Sequence, residues 1–477
     1  MNKIGLLSSR REDMDELIYA SATALAQAIR NKVVSSEEVV NAYLQRIAEV
    51  NPQLNAVVQL TADTARAQAR TADALLRRGE NIGPLHGVPM TIKDSIETAG
   101  VICTGGTKGR ATFKPTHDAT VVARLRAAGA ILLGKTNLPE LSLSYETDNL
   151  VYGRTNNPYD LSRTPGGSSG GEAAIIAAGG SPFGLGADMA GSIRVPSHFC
   201  GIAGIKPTTN RVPRTGHFPP FGGLLSALWQ IGPMARFVED LVLTLPIIAG
   251  VDWCDPSIVP MPWSDPRRVD LKGLRVAFHT DNGIISPTSD TVAVFARVVK
   301  ALSDTALTVE EARPHGIEET NEIRAGVMGI DGGAGVQKLL QIVGTKEIHP
   351  LLQRRQAKSR SEMMSAEEIG FVLDRWDRFR STMLSFLQKY DVIICPVNPY
   401  PALPHGASLD EEIYASFSYT RTYNLTGWPS AVVRGGTSAE GLPIGVQVVG
   451  RPWREDVVLA VAQHIEATGG GWQRPPL

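Results

Sequence analysis

The spacing of apolar and polar positions predicts an α/β chain. Residues 20–50 read as two helices. The second opens on Ser35 with Glu38 three positions on, a capping box. Val39, Val40, Tyr43, Leu44, Ile47 and Val50 then recur at helical spacing, and Asn51-Pro52 is expected to end the helix. Residues 60–78 form a third, alanine-rich helix. Val88, Met90 and Ile92 alternate with Pro89, Thr91 and Lys93, the period of a strand with one apolar face. That places Lys93 on the other face, near the strand end. A helix over 119–128 and a buried strand over 130–133 follow. Next come a helix of small side chains over 172–178, a strand over 183–187 and a turn over 188–194.

From about 250 to 370 the pattern loosens. Pro, Asp and Trp cluster over 252–266, and 318–390 is helical but less regular. The stretch 330–350 reads as a loop or lid, with Gly329, Gly332, Gly333 and Gly335 at its start. Strands return over 392–396, 430–433 and 444–449, and a last helix over 456–466. The fold class is therefore α/β, one large domain over 1–477 with a central mixed β-sheet flanked by helices. Within it, 65–250 is the core that carries the motifs. Residues 251–390 form a less regular helical and loop region, and 391–477 complete the sheet.

Composition narrows the function. Of 477 residues, 43% are hydrophobic and 20% charged, the balance of a soluble globular protein. A net charge of −1 gives no reason to expect a nucleic-acid partner. Cys103, Cys200, Cys254 and Cys395 are far apart and read as free thiols of a reducing, cytoplasmic compartment. No apolar run is long enough to span a membrane, and the apolar patch within residues 1–11 is too short for a signal peptide. No His/Cys/Asp cluster has metal-ligand spacing, so neither metal nor cofactor is expected, and chelators should leave activity intact.

The candidate chemistry lies in Pro165-Gly166-Gly167-Ser168-Ser169-Gly170-Gly171-Glu172 and in Asp188-Met189-Ala190-Gly191-Ser192-Ile193-Arg194. Hydroxyls among glycine N–H groups suit acyl transfer, which needs a nucleophile, a proton route and a place for an oxyanion. A glycine-rich turn capping a helix is the plainer reading. A phosphate cradle lacks its lysine. Gly167 to Gly171 also matches G-x-S-x-G, the nucleophile elbow of α/β-hydrolases, with Ser169 attacking. That reading needs a downstream acid and a histidine such as His279, His315, His349, His405 or His464. None of the thirteen lysines has a serine three positions before it, which excludes the S-x-x-K class.

As a set, these segments resemble the amidase-signature family of serine hydrolases, the Ser–cis-Ser–Lys amidases. The likeness extends to Gly87-Val88-Pro89-Met90-Thr91-Ile92-Lys93-Asp94, to Leu271-Lys272-Gly273-Leu274-Arg275-Val276 and to residues 441–450. It implies Ser192 as nucleophile, Ser168 as proton relay and Lys93 as base. It also implies an oxyanion hole of backbone N–H groups across Met189, Ala190, Gly191 and Ser192. Ala190 stands where the family usually has a first glycine, so the turn either needs no positive φ there or holds an altered hole. Asp188 and Arg194 read as a structural clamp, with Gly167 and Ser169 in support. Cys200 reads as a core residue and His198 as incidental. Lysine has a reference pKa of about 10.4, so neutralising it near pH 7.4 costs about 4 kcal/mol unless burial helps.

The implied reaction is hydrolysis of an amide, ester or carbamate bond in a small molecule. Tyr145, Phe218, Phe221, Leu224 and Trp229 suggest an apolar rim, and Arg421 lies in a segment that lines the pocket in the family. Aryl amides, anilides and carbamates (urethanes) fit best, as in an aryl acylamidase or urethanase. The resemblance also allows a homodimer. The alternatives are a glutamine-hydrolysing amidotransferase subunit for transamidation of glutamyl-tRNA and a non-catalytic binding module.

Overall fold

The computed structural model describes residues 17–304, 308–357 and 362–477. The apolar patch of residues 1–11 lies outside them. Among the described residues one sheet of eleven strands organises the chain. In chain order these are β1 (Val57–Leu60), β2 (Pro89–Lys93), β3 (Ile131–Thr136), β4 (Phe183–Asp188), β5 (Ala203–Lys206), β6 (Gln230–Ala235), β7 (Arg275–Phe278), β8 (Thr308–Glu311), β9 (Val392–Pro396), β10 (Ser430–Thr437) and β11 (Pro443–Gly450). Their spatial order is β1-β3-β2-β4-β6-β5-β10-β11-β9-β7-β8. The sheet is mixed: β2 runs parallel to β3 and β4, β7 runs parallel to β8 and β9, and the remaining pairs are antiparallel.

The helices predicted in the first part of the chain are α1 (Ala22–Arg30), α2 (Ser36–Leu54), α3 (Ala62–Arg77), α4 (Thr120–Ala127) and α5 (Gly170–Ala177). After them come α6 (Arg194–Phe199), α7 (Val238–Ile248) and α8 (Ser289–Ser303). Ser35 accepts from the Glu38 N–H, and the Glu38 carboxylate accepts from the Ser35 N–H, so the capping box is formed in both directions. The apolar stripe of α2 is buried as its spacing requires. Its end differs from expectation. The helix runs through Pro52 to Leu54 and stops at Asn55, whose φ is +50°. A proline in the last turn removes one helical hydrogen bond, and a left-handed Asn then closes the end. The Asn51 side chain holds the outgoing chain, accepting from Ala56 N and Val57 N and donating to Val57 O.

Two further differences matter. First, β2 is buried along its whole length. It is a central strand with α2 and α5 packed on it, so Lys93 faces the interior, where a one-faced strand would have put it in water. Second, 330–350 is not a loop. It contains α10 (Ala334–Val343), which follows α9 (Thr320–Gly329) and precedes α11 (Pro350–Ala357) and α12 (Ala366–Phe386). Gly333, at φ +83°, sits immediately before the first turn of α10, so this glycine marks a helix boundary. The region 251–390 also adds strands β7 and β8 to one edge of the sheet. Beyond β9 the chain forms α13 (Glu411–Ser416), α14 (Ser418–Leu425) and, after β11, the expected last helix, α15 (Glu455–Ala467).

The main core lies between the sheet and its flanking helices. A second apolar cluster joins α9 and α12 to β9, Tyr423 and Trp428. Among the described residues no helix is long and apolar enough to cross a membrane.

Candidate active site

Parallel pairing of β2 and β4 places Ile92 beside Leu185, so the carboxyl ends of both strands open on the same edge of the sheet. In α/β sheets this edge is where ligands are usually handled. Lys93 ends β2, and the turn 189–193 follows β4 directly. The 165–169 segment, entering α5, closes over both. Gly171, in the first turn of α5, lets that turn pack against the chain leaving β3, since a Cβ there would meet the Asn137 backbone at 2.5 Å.

Lys93 Nζ donates to Ser168 Oγ at 2.6 Å. Both side chains are buried, and the Gly167–Ser168 peptide bond is cis. The Ser169 N–H donates to the Ser192 carbonyl at 3.1 Å, which ties the 165–169 segment to the second serine turn. Ser192 is 7% exposed, while Lys93 is fully enclosed. Burial lowers the Lys93 pKa to about 7, against the opposing pull of Asp188 and Glu172. A neutral amine is therefore populated near neutral pH.

The second serine turn is held from inside. Asp188 accepts from Gly191 N at 2.8 Å and from Ile193 N at 3.1 Å. Arg194 grips both carboxylate oxygens at 3.0 Å, and Asn424 Nδ2 donates to one of them at 2.9 Å. Burial alone would raise the Asp188 carboxyl, but Arg194 and Asn424 hold it well below the usual range. The Arg194 guanidinium also donates to Gln447 Oε1 at 2.7 Å.

Two points about the turn are settled by φ and by donors. Positive φ occurs at Gly191, +115°, and not at Ala190, so an alanine there strains nothing. The Gly191 N–H, expected as an oxyanion donor, is engaged by Asp188. Among the described residues the N–H groups of Met189, Ala190 and Ser192 have no protein acceptor. The Ala190 carbonyl is fixed from outside, accepting from Thr420 Oγ1 at 2.8 Å and Tyr145 OH at 3.1 Å.

Ser169 packs inward. Its Oγ lies 3.4 Å from both the N and the O of Ala187, and no histidine among the described residues bonds it. His198 is buried between Gly445 N and the Tyr400 carbonyl, and Cys200 lies in the core. The elbow reading therefore has neither an accessible hydroxyl nor a base.

Across Tyr145, whose OH donates to the Ala190 carbonyl, opens a cavity of about 900 Å³, largely apolar in lining, and none of Lys93, Ser168 and Ser192 lines it. Tyr145, Phe221 and Arg421 line it, as do Leu225, Val336, Leu339, Leu352 and Val372. Phe218 and Trp229 do not. Phe218 is packed under Arg110 and against Leu141 and Leu143. Trp229 is buried behind Phe221, whose carbonyl accepts from its Nε1 at 2.8 Å. Leu224 points outward, and its neighbour Leu225 takes the wall.

Glu172 was not anticipated. It is fully buried in α5 and accepts from Thr91 Oγ1 on β2 and, at 2.7 Å, from Thr136 Oγ1 on β3. Burial raises its carboxyl to about 7. One acidic residue in an otherwise apolar short helix was the available signal.

This arrangement on a mixed eleven-stranded sheet is that of an amide hydrolase, and the chain belongs to the amidase family, whose model matches residues 38–459. It is 34% identical to an acylamidase of Rhodococcus erythropolis, over 94% of this chain and 96% of that one. It is 33% identical to a glutamyl-tRNA(Gln) amidotransferase subunit of Moorella thermoacetica, over 97% and 99% of the two chains. The solved structure of fatty acid amide hydrolase superposes with a TM-score of 0.87 at 25% identity, covering 95% of this chain and 86% of that one.

Proposed function

We propose that the protein hydrolyses small aryl or apolar amides, anilides and carbamates through an acyl-enzyme on Ser192. The observation that carries this is the buried contact between Lys93 Nζ and Ser168 Oγ, beside a turn that presents Ser192. With Lys93 neutral, the Ser192 Oγ attacks the carbonyl carbon and its proton passes to Ser168 Oγ, whose own proton passes to Lys93 Nζ. The carbonyl oxygen becomes an oxyanion facing the N–H groups of Met189, Ala190 and Ser192, each worth about 3 kcal/mol. The Lys93 ammonium then returns a proton, again through Ser168, to the departing nitrogen. The amine leaves, and water repeats the sequence on the ester to release the acid. We assign the aryl or alkyl body to the apolar cavity that begins at Tyr145, one hydrogen bond from the Ala190 carbonyl.

A second reading, a glutamine-hydrolysing amidotransferase subunit, is favoured by the near full-length likeness to the Moorella protein. One panel separates the two. The wild type and Ser192→Ala are assayed on p-nitroanilides, p-nitrophenyl carbamates, aliphatic amides and glutamine. Anilide and carbamate turnover that vanishes in Ser192→Ala supports the first reading. Faster turnover of glutamine favours the second, and full activity in Ser192→Ala removes both.

A further inference from the structure

The sheet makes room for one carboxylate beneath Lys93. Thr91 and Lys93 alternate onto the same face of β2, and Thr136 is the residue that pairs with Lys93 across to β3. Glu172, in the first turn of α5, comes down on that face and is fully buried. One of its oxygens accepts from Thr91 Oγ1 and the other from Thr136 Oγ1 at 2.7 Å. On the other side of β2, Gly184 of β4 lies opposite Thr91, and a Cβ at Gly184 would land on the Glu172 carboxylate. Three strands thus give up a side chain or turn a hydroxyl to seat one acidic group in an interior that otherwise excludes charge.

The charged groups around the seat are few. Lys93 on β2 and Lys135 on β3 both attract the Glu172 carboxylate. Lys135 Nζ is engaged elsewhere, donating to the Ile96 carbonyl and to Thr98 Oγ1 at 3.2 Å, and it also faces Asp94. At the end of β4, Asp188 pulls on Lys93 as well, but its oxygens are committed to Arg194, Asn424 and the turn N–H groups. His217, which Lys93 and its own burial hold down to about 3, stays neutral. Arg46 of α2 and Arg236 after β6 donate to the Ala178 and Ile176 carbonyls, at the far end of α5. Glu172 is bonded only to two neutral hydroxyls among the described residues, so its charge is spent on no cation in contact and acts on Lys93 through space.

We infer that Glu172 is a positioning residue for the reaction, the counter-charge that offsets the Lys93 ammonium formed when the amine takes the Ser168 proton, with Thr91, Thr136 and Gly184 as its seat. This rests on the proposed role of Lys93 as base and adds a residue to it. A buried ammonium is costly without a partner, and a carboxylate fixed nearby reduces that cost in the step that creates it.

The test is the pH profile of kcat/KM on pentanoyl-p-nitroanilide, a neutral substrate, for the wild type, Glu172→Gln and Thr136→Val. The amide of Gln keeps the shape of Glu and can bond both threonine hydroxyls, and thermal midpoints report folding. Without the negative charge the ammonium is less favoured, so the acid limb of Glu172→Gln should move down by about one pH unit. Its plateau should fall by up to about tenfold, as for a weaker base. Thr136→Val keeps the carboxyl and removes one donor to its charged form, so its limb should move the same way by less. The pH dependence of fluorophosphonate labelling at Ser192 should shift in parallel. A plateau loss with an unmoved or raised limb in Glu172→Gln means that the residue only ties α5 to the sheet, and overturns the inference. If that variant does not fold, an unmoved limb in Thr136→Val overturns it equally. A wild-type profile with no acid limb near 7 removes the lysine base and this inference together, whereas a wild-type limb near 7 that neither variant shifts leaves the base reading standing.

Discussion

Lys93 and Ser168, distant in sequence, meet in a buried contact of 2.6 Å between amine and hydroxyl. The amine ends a central strand and the hydroxyl lies in the loop that enters α5. Burial of that contact is what suits the lysine to the proposed role of base, because it lowers the pKa to about 7. Most of the roughly 4 kcal/mol needed to neutralise an exposed lysine near pH 7.4 is thereby removed before substrate arrives.

The pH dependence follows from the sign of that shift. Below about 7 the amine holds its proton and accepts nothing from Ser168, so kcat/KM should fall about tenfold per pH unit. Above about 7 it should level off. A profile on a neutral anilide, with folding monitored across the range, checks this. Activity that peaks in acid contradicts a lysine base.

Removing the proposed base or the proposed relay should be costly. Lys93→Ala and Ser168→Ala should each lower kcat by about 100-fold or more, the usual worth of a general base. Steady-state kinetics with an active-site titration measures the loss. A Lys93→Ala loss below about tenfold would show that another group accepts the proton.

Positions 190 and 191 should respond oppositely to small substitutions. Gly191→Ala forces a side chain onto a positive φ and into Thr420 Oγ1. The displaced turn should cost about 100-fold in kcat, comparable to losing an oxyanion donor. Ala190→Gly adds freedom where none is needed and should stay within about tenfold of wild type. Equal losses at the two positions would contradict the assignment of strain to Gly191 alone.

The Asp188–Arg194 pair should act on stability as well as rate. Asp188→Ala leaves a buried guanidinium and the N–H groups of Gly191 and Ile193 without their acceptor. The expected cost is about 3–5 kcal/mol in a denaturant titration. An unchanged midpoint would mean that the turn does not depend on the clamp.

What could be read in advance divides by range of interaction. The capping box at Ser35 and the stripe of α2 are local and were legible from spacing. The two serine turns and Lys93 were legible as motifs. The enclosure of β2 was not, because the helices that cover it come from distant parts of the chain. Phe218 and Trp229 show the same limit: an aromatic residue near a site is apolar whether it walls the cavity or packs behind the wall. The engaged Gly191 N–H depends on a carboxylate folding back three residues, which composition does not reveal.

The most direct test of the account is the mass-spectrometric mapping of a fluorophosphonate adduct, with its rate of formation. The account predicts a single adduct on Ser192, forming about 100-fold or more slowly in Lys93→Ala and absent in Ser192→Ala. An adduct on Ser169 or Ser168, or a rate indifferent to Lys93, contradicts it.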